Sequence, residues 1–109
     1  MSKLIQQLRR HEGVRNYVYN DHLGYATIGV GRCIEEGVGM GLSDEEVDFL
    51  LMNDIARVTA ELTAEYPWFK ELNPARRDAM INLSFNLGAT RLRLFKNALG
   101  SMEVGDWEA

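Results

Sequence analysis

Residues 12–31 read EGVRNYVYNDHLGYATIGVG, and the architecture of the first half of the chain depends on this segment. Strand-favouring aromatic and β-branched residues occur at 17–19 and again at 27–28. Between these runs only Gly24 is well suited to a positive φ, so we predict a loop longer than a two-residue hairpin turn. The pattern predicts two antiparallel strands joined by that loop.

Two carboxylates, Glu12 and Asp21, flank the first predicted strand. A fully extended chain would hold them at most about 30 Å apart, and a helix end that leads into a folded-back hairpin would bring them much closer. Glycoside hydrolysis uses two carboxyl groups about 5–9.5 Å apart, one neutral and one ionised. On charge statistics alone, two ordinary surface acids are the more common interpretation. Gly29 and Gly31 leave one strand face without side chains, which admits close approach of a ligand.

A first helix is predicted over residues 3–11, where Leu4, Ile5 and Leu8 recur at helical spacing and Gly13 ends the helix. Glu12 would then lie at the negative end of the helix dipole. That position, and burial beside apolar groups, would favour the neutral carboxyl that a general acid requires.

The middle of the chain predicts a third strand and a long helix. Residues 32–34 would close the sheet, and the glycine-rich residues 35–41 would form a connecting loop. Ser43 and Glu46 form a capping box. A helical stripe then continues to about Glu65, and its apolar members are Val47, Leu50, Leu51, Ile55, Val58 and Leu62.

The last part of the chain predicts helices. Pro74 suits the first position of a helix over 75–87 that ends at Gly88, and a shorter helix over 91–99 would end at Gly100. The expected inward side chains are Ala79, Met80, Ile81, Leu83, Phe85, Leu87, Leu94, Phe95, Ala98 and Leu99. A polar stripe of Asp78, Asn82 and Asn86 would either bond neighbouring groups, the favoured interpretation for the two asparagines, or face a substrate cleft.

Composition excludes several classes of protein. The chain has 109 residues, 46% of them hydrophobic, without an apolar run long enough to span a membrane or to serve as a secretory signal. Its single cysteine, Cys33, cannot form an internal disulfide. A net charge of −4 without a basic stripe excludes nucleic acid as the expected partner. A metal site from His11, Glu12, Asp21 and His22 is a minor alternative, because adjacent histidines and acids are usually incidental.

Three ordered motifs resemble the phage-type lysozymes, the endolysins of glycoside hydrolase family 24. The first is Glu12-Gly13 followed by Asp21 and by GYATIGVG over 24–31; the second is NLSFNLG over 82–88; the third is GDWEA over 105–109. The resemblance covers essentially the whole chain with compatible spacings.

The resemblance implies roles for these residues. Glu12 would be the general acid, Asp21 the carboxylate that assists the attacking water, and Thr27 the hydroxyl that places this water. Tyr25, Gly29, Gly31 and Asn86 would contact the substrate. The carboxylate separation, which sequence does not give, decides between retention and inversion, and the resemblance favours inversion. The family often has histidine at the position of Arg32, and arginine can also pair with a carboxylate there.

The expected fold is α+β and lysozyme-like, a single domain over residues 1–109. A small antiparallel sheet lobe, about 12–42, would be joined by a helix of about 43–65 to a mainly helical lobe of about 68–109 plus helix 3–11. Relatives continue beyond the point where this chain ends, so we expect an incomplete helical lobe with bare apolar faces. Such faces favour self-association.

The expected function is therefore a muramidase that acts on peptidoglycan without a cofactor and without stable membrane insertion. It would be made in the cytoplasm of the host bacterium and act at the periplasmic wall after release, or be carried on a virion. The alternative is a catalytically impaired lysozyme-like module that binds cell-wall glycan or a protein partner.

Overall fold

The structure, a computed structural model, describes residues 2–105, except for the side chains of 96–98. It confirms an α+β fold with a small antiparallel sheet and several helices. By internal packing the chain divides into two compact units, Met1–Asp48 and Phe49–Ala109. The third motif of the sequence, apart from Gly105, lies outside the described residues.

The first unit begins with helix α1, Lys3–Glu12. The Ser2 hydroxyl accepts a hydrogen bond from the Ile5 amide and caps the helix, and Gly13, at φ 76°, ends it. The predicted termination at Gly13 is confirmed, so Glu12 is the last helical residue. None of the side chains of α1 is buried. Helix α1 belongs to the same compact unit as the sheet. The assignment of residues 3–11 to the helical lobe stays a prediction.

Three strands form the sheet in the order β1-β2-β3, with all neighbours antiparallel. They are β1, Arg15–Asn20, β2, Ala26–Gly29, and β3, Arg32–Cys33. The predicted longer loop is confirmed, because five residues separate β1 from β2 and Gly24 has φ 86°. The predicted third strand is present over two residues.

Helix α2, Asp44–Glu65, contributes residues to both units. The predicted capping box is confirmed: the Glu46 amide donates to the Ser43 hydroxyl at 3.2 Å, and the Ser43 amide donates to Glu46 Oε1 at 2.9 Å. Of the predicted apolar stripe, only Val58 and Leu62 are buried, and the members in the first half of the helix are exposed.

The second unit contains the buried core of the described chain, formed by Val58, Leu62, Phe69, Met80, Leu92 and Leu99. Its elements after α2 are a short 3-10 helix, Pro67–Glu71, and the helices α3, Pro74–Arg93, and α4, Lys96–Glu103. Burying each of the three largest core side chains stabilises the fold by roughly 1.5–3 kcal/mol. No helix among residues 2–105 is long and apolar enough to cross a membrane.

The helix boundaries after residue 88 differ from the prediction. The predicted helix end at Gly88 is confirmed, because Gly88 is non-helical (φ 76°, ψ 161°) and forms a kink, after which a second helical segment continues to Arg93. The chain then breaks at Leu94 and Phe95, and α4 passes through Gly100 without ending there.

Several side chains that the sequence placed inward are exposed instead. Leu94 is 73% exposed and Phe95 48% exposed, because they occupy the break between α3 and α4. Phe85 and Ala79 on α3 are also exposed, while Met80 is fully buried. Ala98 lies outside the described side chains. The incomplete helical lobe and self-association through it stay predictions.

Candidate active site

Asp21 opens the loop between β1 and β2, and its carboxylate is held by the backbone of that loop. Its Oδ1 accepts hydrogen bonds from the amides of Tyr25 and Leu23, each at 2.9 Å. The Tyr25 amide contributes most to lowering the pKa of Asp21 below its ordinary value. Desolvation opposes this effect, and the Leu23 amide and the charge of His22 lower the pKa further. Asp21 is therefore ionised at neutral pH.

Thr27 lies on β2 and is almost fully buried, with 3% of its surface exposed. Its hydroxyl donates to the carbonyl oxygen of Tyr25 at 2.9 Å, and the same carbonyl accepts from the Asp21 amide at 3.0 Å. Since its proton is used in this way, the Thr27 oxygen is left as an acceptor, which suits binding of a water proton. The backbone of Tyr25 thus links the predicted carboxylate to the predicted hydroxyl.

Glu12 lies in the same unit, at the end of α1, and its carboxylate packs over Gly31. A Cβ built on Gly31 would stand 2.7 Å from Glu12 Oε2, so only glycine leaves room for this arrangement. The expected burial of Glu12 beside apolar groups is wrong, because its side chain is exposed where the short helix meets the sheet. Gly29 also has a positive φ, and the space where a Cβ would stand is open.

The sheet register determines how far apart the two ends of the β1–β2 pair lie. Arg15 pairs with Gly29 at one end and Asn20 with Ala26 at the other, with an irregularity between them. Six residues of β1 therefore lie beside four of β2. Between these two residue pairs β2 advances by three residues, or about 10 Å. A regular β1 would advance by five residues, or about 17 Å, over the same interval. Asp21 follows one end, and Glu12 precedes the other.

Asn86 lies in the second unit and not on the sheet. The polar stripe of Asp78, Asn82 and Asn86 is exposed along α3. The Asn86 amide donates weakly to Asn82, at 3.4 Å to its carbonyl and 3.5 Å to its side-chain oxygen, as expected for a structural pair. Asp78 and Asn82 also line an open, mainly apolar pocket of about 450 Å³ with Phe85.

Arg32, at the position of the family histidine, pairs with a carboxylate as expected. Its guanidinium bonds Glu46 Oε1 and donates to the Gly41 carbonyl at 3.2 Å. The Ser43 amide, followed by the Arg32 bond, lowers the pKa of Glu46 to about 2. The pair ties β3 to the first turn of α2, and the Glu46 carboxylate is ionised at neutral pH.

The minor metal alternative finds no support within residues 2–105, where no three histidine, cysteine or acidic side chains converge to hold a metal ion. The sequence did not identify Glu35, whose Oε1 accepts a hydrogen bond from the Ala26 amide at 3.1 Å. The feature of the sequence that could have indicated Glu35 is its position as an acidic residue directly after the third predicted strand.

Comparison with known proteins identifies the family of the chain. Residues 9–108 match the phage lysozyme family. The chain is 31% identical over 100 residues to an endolysin of Acyrthosiphon pisum secondary endosymbiont phage 1, a match covering 92% of this chain and 66% of that protein. It is 28% identical over 130 residues to the pre-baseplate central spike protein of Enterobacteria phage T4, covering 96% of this chain and 23% of that protein.

A third relative is a probable T4-type lysozyme of Dictyostelium discoideum, 25% identical over 133 residues, covering 98% of this chain and 78% of that protein. The chain belongs to the phage lysozyme family, which confirms the resemblance drawn from its motifs. It spans about a quarter of the spike protein and about two thirds of the endolysin.

Proposed function

We propose that this chain hydrolyses peptidoglycan, cleaving the β-1,4 bond between N-acetylmuramic acid and N-acetylglucosamine during phage-mediated lysis of the host. The observation that carries the proposal is the Tyr25 backbone, whose amide bonds an ionised Asp21 and whose carbonyl oxygen accepts from the Thr27 hydroxyl. An ionised acid beside a water-placing acceptor is what an inverting glycosidase requires. Membership of the phage lysozyme family and the similarity to an endolysin also support it.

In the proposed reaction, Glu12 donates its proton to the glycosidic oxygen as the bond to the anomeric carbon breaks. A water bound by Thr27 and Asp21 attacks that carbon from the opposite face, and its proton passes to Asp21. The products are an alcohol at the leaving sugar and a new reducing end with inverted configuration.

Substrate contacts are proposed at the residues that surround these groups. The open space over Gly29 lets the glycan approach the backbone of β2, and Gly31 makes room for the Glu12 carboxylate. The half-buried side chain of Tyr25 completes the set proposed in the first unit, and the exposed amide of Asn86 is proposed as a separate substrate contact of the second unit. The reaction as written needs no cofactor, and the proposed partner is the cell wall, without nucleic acid.

We also propose that the chain is made in the host cytoplasm and acts at the periplasmic wall. One relative is an endolysin and another is a spike protein, so both release during lysis and carriage on a virion have a precedent among its relatives. Mass spectrometry of purified virions distinguishes the two routes, because only carriage on a virion predicts this chain among the virion polypeptides.

The test measures release of reducing ends from purified Gram-negative peptidoglycan by the wild-type chain and by Glu12→Gln. We expect activity in the wild type and a loss of at least about 100-fold in Glu12→Gln, because the amide cannot donate the proton. Asp48→Asn, an exposed acid of the same unit, is the matched control and should behave as the wild type. Equal activity in Glu12→Gln and wild type would overturn the catalytic assignment.

The second candidate is a lysozyme-like module that binds wall glycan or a protein partner without cutting. The exposure of Glu12 favours it, because an exposed carboxyl lacks the burial that usually keeps a general acid neutral. This candidate predicts that wild type and Glu12→Gln sediment equally with peptidoglycan while neither releases reducing ends.

A further inference from the structure

We propose that Glu35 is a positioning residue for the reaction, because it fixes the strand that carries Tyr25 and Thr27. This inference rests on the proposed function. Glu35 is not one of the two predicted catalytic carboxylates, Glu12 and Asp21, and it lies in the loop after β3. The evidence is a set of hydrogen bonds that joins this loop to the start of β2.

Ala26, between Tyr25 and Thr27, is bonded through both of its polar backbone groups to the chain that follows β2. Its carbonyl accepts from the Ile34 amide at 2.8 Å, and its amide donates to Glu35 Oε1 at 3.1 Å. The pairing of β2 with β3 runs through Thr27–Cys33 and Ile28–Arg32. The Glu35 carboxylate therefore continues that pairing, where another strand would supply a backbone carbonyl.

Glu35 is itself held by a tight turn. Its carbonyl accepts from the amides of Val38 at 3.1 Å and Gly39 at 2.8 Å, and the Met40 amide donates to the Cys33 carbonyl at 3.1 Å. Gly39 packs so closely that a Cβ there would lie 2.1 Å from the Cys33 oxygen. The turn thus returns to β3, and the Glu35 side chain extends from a fixed backbone.

The consequence for the site follows from the position of Ala26. The peptide between 25 and 26 carries the Tyr25 carbonyl, which accepts from the Thr27 hydroxyl and from the Asp21 amide, so any rotation of this peptide moves both contacts. An active-site group displaced by about 1 Å can cost two orders of magnitude in rate. Glu35 contacts neither proposed catalytic carboxylate in the described hydrogen-bond network and acts through the backbone.

The experiment compares Glu35→Ala, Glu35→Gln and the neighbouring control Glu36→Ala on purified peptidoglycan. We expect Glu35→Ala to lower kcat about 10-fold with KM changed less than about 2-fold, because it removes the acceptor of the Ala26 amide. Glu35→Gln retains a side-chain oxygen acceptor and should stay within about 3-fold of wild type. Glu36, an exposed acid, should be replaceable without effect.

Two further readouts separate positioning from general stability. Amide hydrogen exchange of Ala26, followed by NMR, should be faster in Glu35→Ala than in Glu35→Gln, while amides of the second unit are unchanged. The double variant Thr27→Val/Glu35→Ala is compared with Thr27→Val alone. Its kcat should be lower by less than about 2-fold, because both changes act on the same proposed water site.

Each outcome decides the proposal. Rescue by Glu35→Gln together with local exchange at Ala26 supports it. It is overturned by an unchanged kcat in Glu35→Ala, by a Glu35→Gln variant as impaired as Glu35→Ala, or by faster exchange throughout the chain. A wild-type chain that releases no reducing ends shows instead that the proposed function has failed, and the positioning role fails with it.

Discussion

Replacing Gly31 by alanine tests how the Glu12 carboxylate is positioned. A Cβ at residue 31 would stand 2.7 Å from Glu12 Oε2, 3.1 Å from its Cδ and 3.2 Å from its Cγ. Ordinary nonbonded separations are about 3.5 Å or more, so the carboxylate must retreat by about 0.8 Å. Because displacement of this size costs up to about 100-fold in rate, we expect Gly31→Ala to lower kcat by roughly 10- to 100-fold.

Gly29→Ala provides a matched comparison. Gly29 and Gly31 have nearly the same φ, 70° and 69°, so alanine introduces similar backbone strain of about 1–2 kcal/mol at either position. At Gly29, however, nothing lies within 4 Å of the new Cβ. We therefore expect Gly29→Ala to lose similar stability, to raise KM by filling the space proposed for the glycan, and to retain most of kcat.

The assay measures initial rates of reducing-end release over a range of peptidoglycan concentrations, with thermal unfolding of each variant in parallel. Separate effects, on kcat in Gly31→Ala and on KM in Gly29→Ala, would support the placement of Glu12. If both variants lose kcat equally while their unfolding temperatures fall equally, backbone strain explains the loss and the reasoning about Glu12 is refuted.

Three further predictions concern stability. The pKa of Glu46 is about 2, below its ordinary value of 4.5. The ionised carboxylate therefore stabilises the fold fully above about pH 4.5, and this contribution is lost as the pH falls towards 2. Unfolding temperatures measured across this range should depend less on pH in Glu46→Gln than in wild type. Gly39→Ala should destabilise the fold by about 1–3 kcal/mol in urea unfolding, since its Cβ would overlap the Cys33 carbonyl, and a neutral result would show that the turn is loosely packed. Gly100→Ala should stabilise by about 0.5–1 kcal/mol, because Gly100 lies inside α4 with open space around it; destabilisation would show that Gly100 ends a helix, as its sequence context suggested.

The features that the sequence predicted well are those that neighbouring residues determine. Gly13 ends α1, Ser43 and Glu46 cap α2, and Pro74 begins α3, because each follows from backbone preferences within one turn. The loop at Gly24 follows for the same reason. In the site, the pairing of Arg32 with a carboxylate was expected, although its partner was not identified.

The features that the sequence predicted poorly depend on packing between separate elements. The exposure of Glu12 and of the Asn82–Asn86 pair could not be seen from periodicity, because the same spacing occurs on covered and uncovered helix faces. The link from Glu35 to Ala26 joins a loop side chain to a strand amide, and no local rule predicts such a bond. The break at Leu94 has no proline or glycine to signal it.

The configuration of the first-formed product tests most directly the central claim that Asp21 and Thr27 hold the attacking water opposite Glu12. Proton NMR of peptidoglycan fragments during hydrolysis, before the anomers equilibrate, reports the configuration of the new N-acetylmuramic acid reducing end. Our account predicts the α-anomer first, because the β-linkage is inverted by water from the opposite face. Initial formation of the β-anomer, or the absence of any new reducing end, would contradict it.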